Sequence, residues 1–234
     1  MLMSENYKYF TLFIIGLAIL ASLIGLARYR QLPLSLRYLT LLACFDSVME
    51  LTAKLVHDVL HLKNNLFLFP IISIGEIVLL ALTYRQVLQS AIFNKIAPWL
   101  LGLFTAYALV VSFTQFGIAR YAVGLATIMN LLLLGIAGFY FNKLLNELHV
   151  EQPLRDPFFW VSAGLAVYGM GNLLIYLFSN YLITRCSIQL QFLVLWGVRN
   201  LFNAALYLAY CWALWIAPPK SYAAPAAAST LPRA

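Results

Sequence analysis

The stretch from Phe10 to Ala27, FTLFIIGLAILASLIGLA, decides the fold class of this chain. It runs without a single charged residue for about the length that a helix needs to cross the hydrocarbon core of a bilayer. Lys8 precedes it, but the run is too long for the apolar part of a typical signal peptide, and a small-x-small cleavage site is missing. We therefore predict a retained first transmembrane helix.

The composition of the whole chain agrees with this stretch. Of its 234 residues, 63% are hydrophobic and only 10% are charged, and the mean hydropathy is +0.86. Soluble domains carry about 25% charged residues, so most of the surface must face lipid. The net charge of +7 comes mainly from short loops beside apolar runs, which excludes nucleic acid as a partner and leaves the lipid bilayer.

The apolar runs predict an all-α fold, an integral membrane bundle of seven helices within residues 1–217, followed by a disordered cytoplasmic tail over 218–234. The predicted spans are about 7–28, 35–60, 66–89, 97–117, 120–145, 157–180 and 188–216. In this prediction Asn94, Lys95 and Pro98 separate the third span from the fourth.

The orientation follows from the basic residues of the loops. Nine Lys and Arg fall on one side of the bundle and four on the other. The side richer in Lys and Arg is normally cytoplasmic, which places the N-terminus outside and the C-terminus in the cytoplasm. We expect a multi-pass protein of a cell membrane, specifically the bacterial inner membrane.

Ionisable residues within the spans are the most informative feature. At about 100° per residue, one arc of roughly 80° on the second helix carries Asp46, Glu50, Lys54, His57 and His61. This face is predicted to look into the bundle. The opposite, apolar face is predicted to carry Leu41, Leu42, Phe45, Val48, Val56 and Val59.

Depth adds a second constraint. Glu50, Glu76 and Arg199 each lie about 15–16 Å below the outer surface at 1.5 Å rise per residue. A charge at the bilayer centre costs at least about 2.5 kcal/mol, so we predict an intramembrane ion cluster in which Arg199 bridges Glu50 and Glu76. The predicted ligand-binding residues are Asp46, Glu50, Lys54, Glu76, Asn172, Tyr176, Arg199 and Asn203. The alternative is that these polar groups only hold helices together.

Metal binding and catalysis find less support. His57 and His61 share a helix face, as two histidine ligands of zinc would. A third ligand would have to be Asp58 or Glu50, because the remaining histidine, His149, is predicted on the opposite side of the membrane. They remain a weak metal candidate, and we predict no cofactor. The last helix lacks the histidine of seven-helix hydrolases and the lysine of rhodopsins, and no catalytic motif is present. The sequence favours a function other than catalysis.

Smaller patterns predict packing. Gly164, Gly169 and Gly171 are predicted to allow close approach of helices. Tyr84 and Arg85 are predicted to form an anchor pair at the membrane interface.

The general layout resembles a family of uncharacterised seven-helix membrane proteins that is common in Bacteroidetes. The residues that carry this resemblance are Lys63-Asn64-Asn65 with Glu76, Asp156-Pro157-Phe158-Phe159-Trp160 with Gly164 and Tyr168, and Asn200, Asn203 and Tyr207. Members of this family are often encoded near sensor kinases, so the resemblance implies sensing or signalling with a kinase or another membrane partner.

These observations lead to three functional hypotheses. The first is a receptor-like or sensory protein that binds a small ligand in an intramembrane polar pocket and signals through a partner. The second is a small-molecule or proton-coupled transporter in which Glu50 and Glu76 titrate. The third is a lipid-modifying membrane enzyme. The sequence determines neither the ligand nor the oligomeric state.

Overall fold

The fold is described by a computed structural model over residues 2–58, 68–114, 119–146 and 153–218. Within these ranges the regular structure is helical and no strand occurs. The helices are α1 (Leu2–Arg28), α2 (Leu34–Asp58), α3 (Leu68–Leu88), α4 (Ala91–Thr114), α5 (Ala119–Asn146), α6 (Pro157–Arg185) and α7 (Ile188–Ile216). The loops predicted around Lys63 and Gly117, most of the 146–157 loop and the tail beyond Pro218 lie outside the described residues.

Six of these helices are long and apolar enough to cross a bilayer. The exception is α2, which has 25 residues but carries Arg37, Asp46, Glu50 and Lys54 in addition to its terminal Asp58. The all-helical, multi-pass character expected from the sequence is confirmed to this extent. The seventh crossing and the orientation of the termini stay predictions.

The helices form a ring with one helix outside it. Along the ring α1 packs against α2, α2 against α3, α3 against α5, α5 against α6, and α6 against α7, whose second half returns to α1. The outer helix is α4, which packs on α3 and α5. The faces of α2, α3, α6 and α7 that turn toward one another therefore enclose the interior.

The start of α4 differs from the prediction that Asn94, Lys95 and Pro98 separate two spans. The helix begins at Ala91 and contains Pro98. The connection is short because Gln89 adopts a left-handed backbone with φ 47°, and Ser90 then accepts a backbone hydrogen bond from Asn94 at 2.9 Å. Proline has no N–H to donate in a helix, and position 98 shows that the helix accommodates this loss near its beginning.

Cations tie helix termini together at one end of the bundle. At this end, which we call the capped end, α1, α3, α5 and α7 finish and α2, α4 and α6 begin. Arg28 donates from Nη1 to the carbonyl of Leu214 at 2.6 Å and from Nη2 to that of Ala217 at 2.6 Å. Lys143 donates to the carbonyls of Val87 and Leu88 at 3.0 and 3.1 Å. The last carbonyls of a helix lack intrahelical partners, and a cation also opposes the negative end of the helix dipole.

An aromatic cluster closes the interior at the capped end. Tyr84 is fully buried, and its hydroxyl lies 2.6 Å from the Ser162 hydroxyl. Its ring meets those of Tyr140 and Phe158 edge-on, with centroids 6.3 and 6.2 Å apart. The prediction that Tyr84 is an interfacial anchor is therefore wrong, because the side chain points into the ring of helices.

Asp156 fastens the same cluster to the start of α6. One carboxylate oxygen accepts from the backbone N–H of Phe158 at 2.9 Å and caps the helix. The other accepts from the hydroxyl of Tyr140 at 2.6 Å. Both oxygens of this carboxylate are thus occupied by protein donors.

Small residues set the approach of α6 to its neighbours, as predicted. A Cβ atom added at Gly164 would lie 2.7 Å from the Cβ of Ala209 on α7. One added at Gly171 would collide with the ring of Phe202 on α7, and one at Gly169 would lie 3.2 Å from Leu134 on α5. These three glycines therefore permit close packing.

Replacing Arg28 by Gln is expected to lower the free energy of unfolding by about 1–3 kcal/mol, because charged donors to the last carbonyls of α7 are removed. Thermal unfolding of the purified protein in detergent measures the change. Arg30→Gln is the matched control, since Arg30 is exposed. Equal unfolding temperatures for the two variants would contradict the capping role.

Replacing Gly164 by Ala is expected to separate α6 from α7 and to destabilise the fold by about 1–3 kcal/mol through overpacking. Gly138→Ala serves as the control, because a Cβ atom there would meet nothing within 4 Å. Denaturant titration of both variants in detergent tests the difference. A Gly164→Ala protein as stable as Gly138→Ala would show that this contact is not tight.

Candidate functional site

The rotation of α2 about its axis places its acidic residues inside the bundle. Asp46 is only 5% exposed, whereas Val48 on the opposite side is 59% exposed. The prediction of an inward ionisable face is thus confirmed for Asp46. Two residues assigned to the apolar face, Leu42 and Val56, are instead buried, because the inward face is wider than the ionisable arc.

The acidic residues of α2 open into a cavity of about 330 Å³. It lies between the second half of α2, the first half of α3, the second half of α6 and the middle of α7, at the end of the bundle opposite the capped end. Its lining residues are Asp46, Met49, Glu50, Ala53, Leu68, Phe69, Ile72, Glu76, Tyr176, Arg199 and Tyr207. Five of the eight predicted ligand-binding residues line this one cavity: Asp46, Glu50, Glu76, Tyr176 and Arg199.

Arg199 is the cation of the cavity. Its guanidinium carbon lies 5.7 Å from the centroid of the Tyr176 ring, in a cation–π arrangement. Its charge also attracts the carboxylates of Glu50 and Glu76. Among the described residues no direct ion pair joins Arg199 to either carboxylate, so the predicted bridging of Glu50 and Glu76 by Arg199 stays a prediction. Tyr207 lines the same cavity as Glu50.

Asp46 has a different environment from the other two carboxylates. It is buried, and the like charges of Glu76 and Glu50 disfavour its own negative charge. Its Oδ1 atom is buried and has no hydrogen-bond partner within the described ranges. Asp46, Glu76 and Tyr207 also line a narrower space of about 10 Å³ that continues deeper, toward Tyr168 and Tyr210. A buried oxygen without a donor is costly, and because Asp46 also lines the cavity, its carboxylate can accept a hydrogen bond from a donor placed there.

The remaining predicted site residues lie around the cavity. Asn203 lines the narrow deeper space. Asn172 is 1% exposed and donates to the Tyr168 carbonyl of its own helix at 3.0 Å, so it does not line the cavity. Lys54 is half-buried one turn beyond Glu50 and is not part of the lining.

Sequence reasoning left Tyr207 out of the site, although its spacing of eight residues from Arg199 put it on the same helix stripe. The apolar wall, made of Met49, Ala53, Leu68, Phe69 and Ile72, left no signal in the sequence. Apolar side chains suit lipid and cavity walls equally well, so only the packing of helices separates the two groups.

Metal ligation receives no support from the part of the chain that is described. There, no group of three or more His, Cys, Asp or Glu side chains could hold a metal ion. The side chain of His57, and His61 and His149 altogether, lie outside the described residues, so the weak zinc hypothesis stays a prediction.

The backbone of α7 is irregular beside the cavity. Leu193–Val198 forms a π-helical segment, and the α-helix resumes at Arg199. Trp196 in this segment meets Phe10 of α1 edge-on, with ring centroids 6.0 Å apart. Such segments occur often at functional sites, and this one sets where the Arg199 side chain emerges.

A second cavity, of about 220 Å³, lies between α3, α4 and α5. Its wall is apolar and includes Ala81, Phe93, Leu100 and Ile136. It provides no charged or hydrogen-bonding group that would orient a polar ligand.

Replacing aspartate by asparagine is expected to change the free energy of unfolding in opposite directions at positions 46 and 156. Asp46→Asn should raise the free energy of unfolding by about 1–3 kcal/mol, because a buried carboxylate beside like charges loses its charge. Asp156→Asn should lower it by about 1 kcal/mol, because the amide nitrogen cannot accept from Tyr140. Thermal unfolding in detergent distinguishes them, and a destabilised Asp46→Asn protein would contradict this description of the cavity.

Comparison of the chain with protein-family models, curated proteins and solved structures finds no match. The resemblance to seven-helix proteins of Bacteroidetes stays a prediction.

Proposed function

We propose that this protein is a receptor-like or sensory membrane protein that binds a small polar ligand in the cavity around Arg199 and passes a helix shift to a partner protein. A sensor kinase or another membrane protein would receive the signal. The observation that carries the proposal is that Arg199, which lines the cavity, is the residue directly after the π-helical segment of α7.

The proposal includes α2 as a seventh transmembrane crossing, with the N-terminus outside and the C-terminus in the cytoplasm of a bacterial inner membrane. The exposed side chains of α2, such as Leu41, Val48, Leu51 and Leu55, are suited to lipid. Its charged residues are too numerous for an isolated span, but Asp46 is shielded by the neighbouring helices. With this orientation the cavity lies in the outer half of the bundle.

Asymmetry between the two ends supports a receptor over a carrier. The deeper space below Asp46 narrows to about 10 Å³, and the buried cluster around Tyr84 fills the bundle beyond it. A carrier has to expose its site to both sides of the membrane in turn, so the buried cluster around Tyr84 would have to open during transport. A receptor needs only to bind at one side and to shift a helix.

The π-helical segment provides a means of transmission. Its wider turn carries one residue more than an α-helix needs, so a change in the hydrogen-bond register can move along the helix at low cost. A ligand that changes the position of Arg199 in the cavity would favour one register over another. The other end of α7 is held by Arg28, so a shift of α7 would also bear on α1.

A proton-coupled carrier is the second candidate, favoured by the presence of three carboxylates against one arginine in the cavity lining. In that case the titration of Glu50 and Glu76 would accompany transport. Substrate-dependent proton flux into liposomes would identify this function.

Filling the cavity is expected to abolish ligand binding. Ala53→Phe places a ring in the cavity, so native mass spectrometry of protein from its own membrane should detect a bound small molecule in the wild type and not in the variant. Ala81→Phe is the matched control, because Ala81 lines the apolar cavity instead. Co-purification of a membrane partner should respond to Ala53→Phe and not to Ala81→Phe.

Two results would contradict the proposal. If Ala53→Phe retains the same bound molecule as the wild type, the polar cavity is not the binding site. If the wild type carries no small molecule and Ala53→Phe leaves partner association unchanged, the cavity has no role in sensing.

A further inference from the structure

The charges around the polar cavity do not balance. Three carboxylates, Asp46, Glu50 and Glu76, share the lining with one guanidinium, that of Arg199. With all lining groups ionised, two negative charges remain after Arg199 is counted, and one remains when Lys54, one turn beyond Glu50, is counted as well. A charge removed from water costs several kcal/mol unless it is paired, so the carboxylates of the cavity favour positive charge, which either bound protons or a cationic ligand can supply.

The position of Asp46 specifies where that charge would bind. Arg199 lies over the ring of Tyr176, and the cavity that it lines also holds Glu50, Glu76 and Tyr207. Asp46 is 5% exposed, and its Oδ1 has no donor among the described residues. This oxygen needs an N–H or O–H donor, and a cationic donor would also reduce its repulsion with Glu76.

The wall of the cavity suits an organic cation. Phe69, Tyr176 and Tyr207 line it, and aromatic rings attract ammonium groups through their faces while packing against hydrocarbon. Within the described ranges no metal-binding group of side chains is found, so the carboxylates are not arranged around a bare ion. A volume of about 330 Å³ is at the small end of the range for organic ligands.

We infer that the ligand of this cavity is a small organic amine, protonated at neutral pH, whose ammonium group binds the Asp46 carboxylate and whose apolar part packs against the aromatic wall. This inference rests on the proposed function, since it specifies the ligand class of the same cavity. Arg199 would then hold Glu50 and Glu76 in place and leave Asp46 to the ligand.

Three probes of similar shape and different charge test the amine class. Phenethylamine is a cation at pH 7, 2-phenylethanol is neutral and phenylacetate is an anion. The full chain in lipid nanodiscs is titrated with each, and its unfolding temperature and equilibrium binding are measured. Phenethylamine is expected to bind and to raise the unfolding temperature, and the other two are expected to bind at least about tenfold more weakly.

Variants then locate the binding group. Asp46→Asn is expected to weaken phenethylamine binding about ten- to a hundredfold, because a charge-assisted hydrogen bond becomes a neutral one. Ser73→Ala is the matched control, because Ser73 is a buried residue of α3 whose hydroxyl also lacks a partner in the described chain and which does not line the cavity. Glu76→Gln, as a second variant, should weaken binding less than Asp46→Asn.

The outcomes separate this inference from the proposed function. Stronger binding of phenylacetate or 2-phenylethanol than of phenethylamine would overturn the amine class and leave the cavity as a binding site. Unchanged phenethylamine binding in Asp46→Asn would overturn the assignment to Asp46. If none of the three probes binds to the wild type, the amine class is wrong, while the native mass comparison with Ala53→Phe still decides the proposed function.

Discussion

The exclusion of charged side chains from lipid is the constraint on which the rest of this structure depends. In a bilayer a carboxylate or guanidinium has no water to solvate it, so each helix that carries one must turn that side inward. For α2, the proposed seventh crossing, this would set the rotation through Asp46, and it brings α3 and α7 to the same cavity through Glu76 and Arg199. The cavity is the space that these inward-facing groups require.

The two ends of the bundle treat polar groups in opposite ways. At the capped end the polar atoms of Arg28, Lys143, Asp156 and Tyr84 meet partners in neighbouring helices. At the other end Asp46 leaves a buried oxygen without a partner. Where every buried polar group has a hydrogen-bond partner, the helices are held in one arrangement. Where a buried polar group has no partner, a ligand that supplies one binds more favourably. The first end is therefore suited to hold the helices together, and the second is suited to bind a ligand.

The irregular helical segments lie at two distinct places in the bundle. The π-helical turn of α7 lies beside the cavity, whereas the second half of α7 packs in register against α1 and α6. The proline of α4 lies in the one helix that packs outside the ring, so its missing hydrogen bond does not disturb the interior. The ring of six helices thus contains a single segment with altered hydrogen bonding among the described residues, and it adjoins Arg199.

The sequence alone was sufficient for those features that depend on composition and on periodicity along one helix. The lack of charge in Phe10–Ala27 predicts a span, and the 100° turn per residue predicts that Asp46 looks inward. The equal depths of Glu50, Glu76 and Arg199 predict that they occupy one level of the bundle. Each of these follows from distances along a single chain segment, which helix geometry fixes without reference to other helices.

Only the tertiary structure decided how these segments meet. It buried Tyr84 against Ser162, brought Tyr207 into the same cavity lining as Glu50, turned Asn172 back onto its own helix and moved α4 outside the ring. A side-chain amide or hydroxyl can form its hydrogen bond within its own helix or with a neighbouring helix at similar free energy. An apolar side chain that faces lipid is nearly as favourable as one that faces a neighbouring helix. The choice depends on shape complementarity between helices, which is a property of pairs of surfaces and is absent from any one helix.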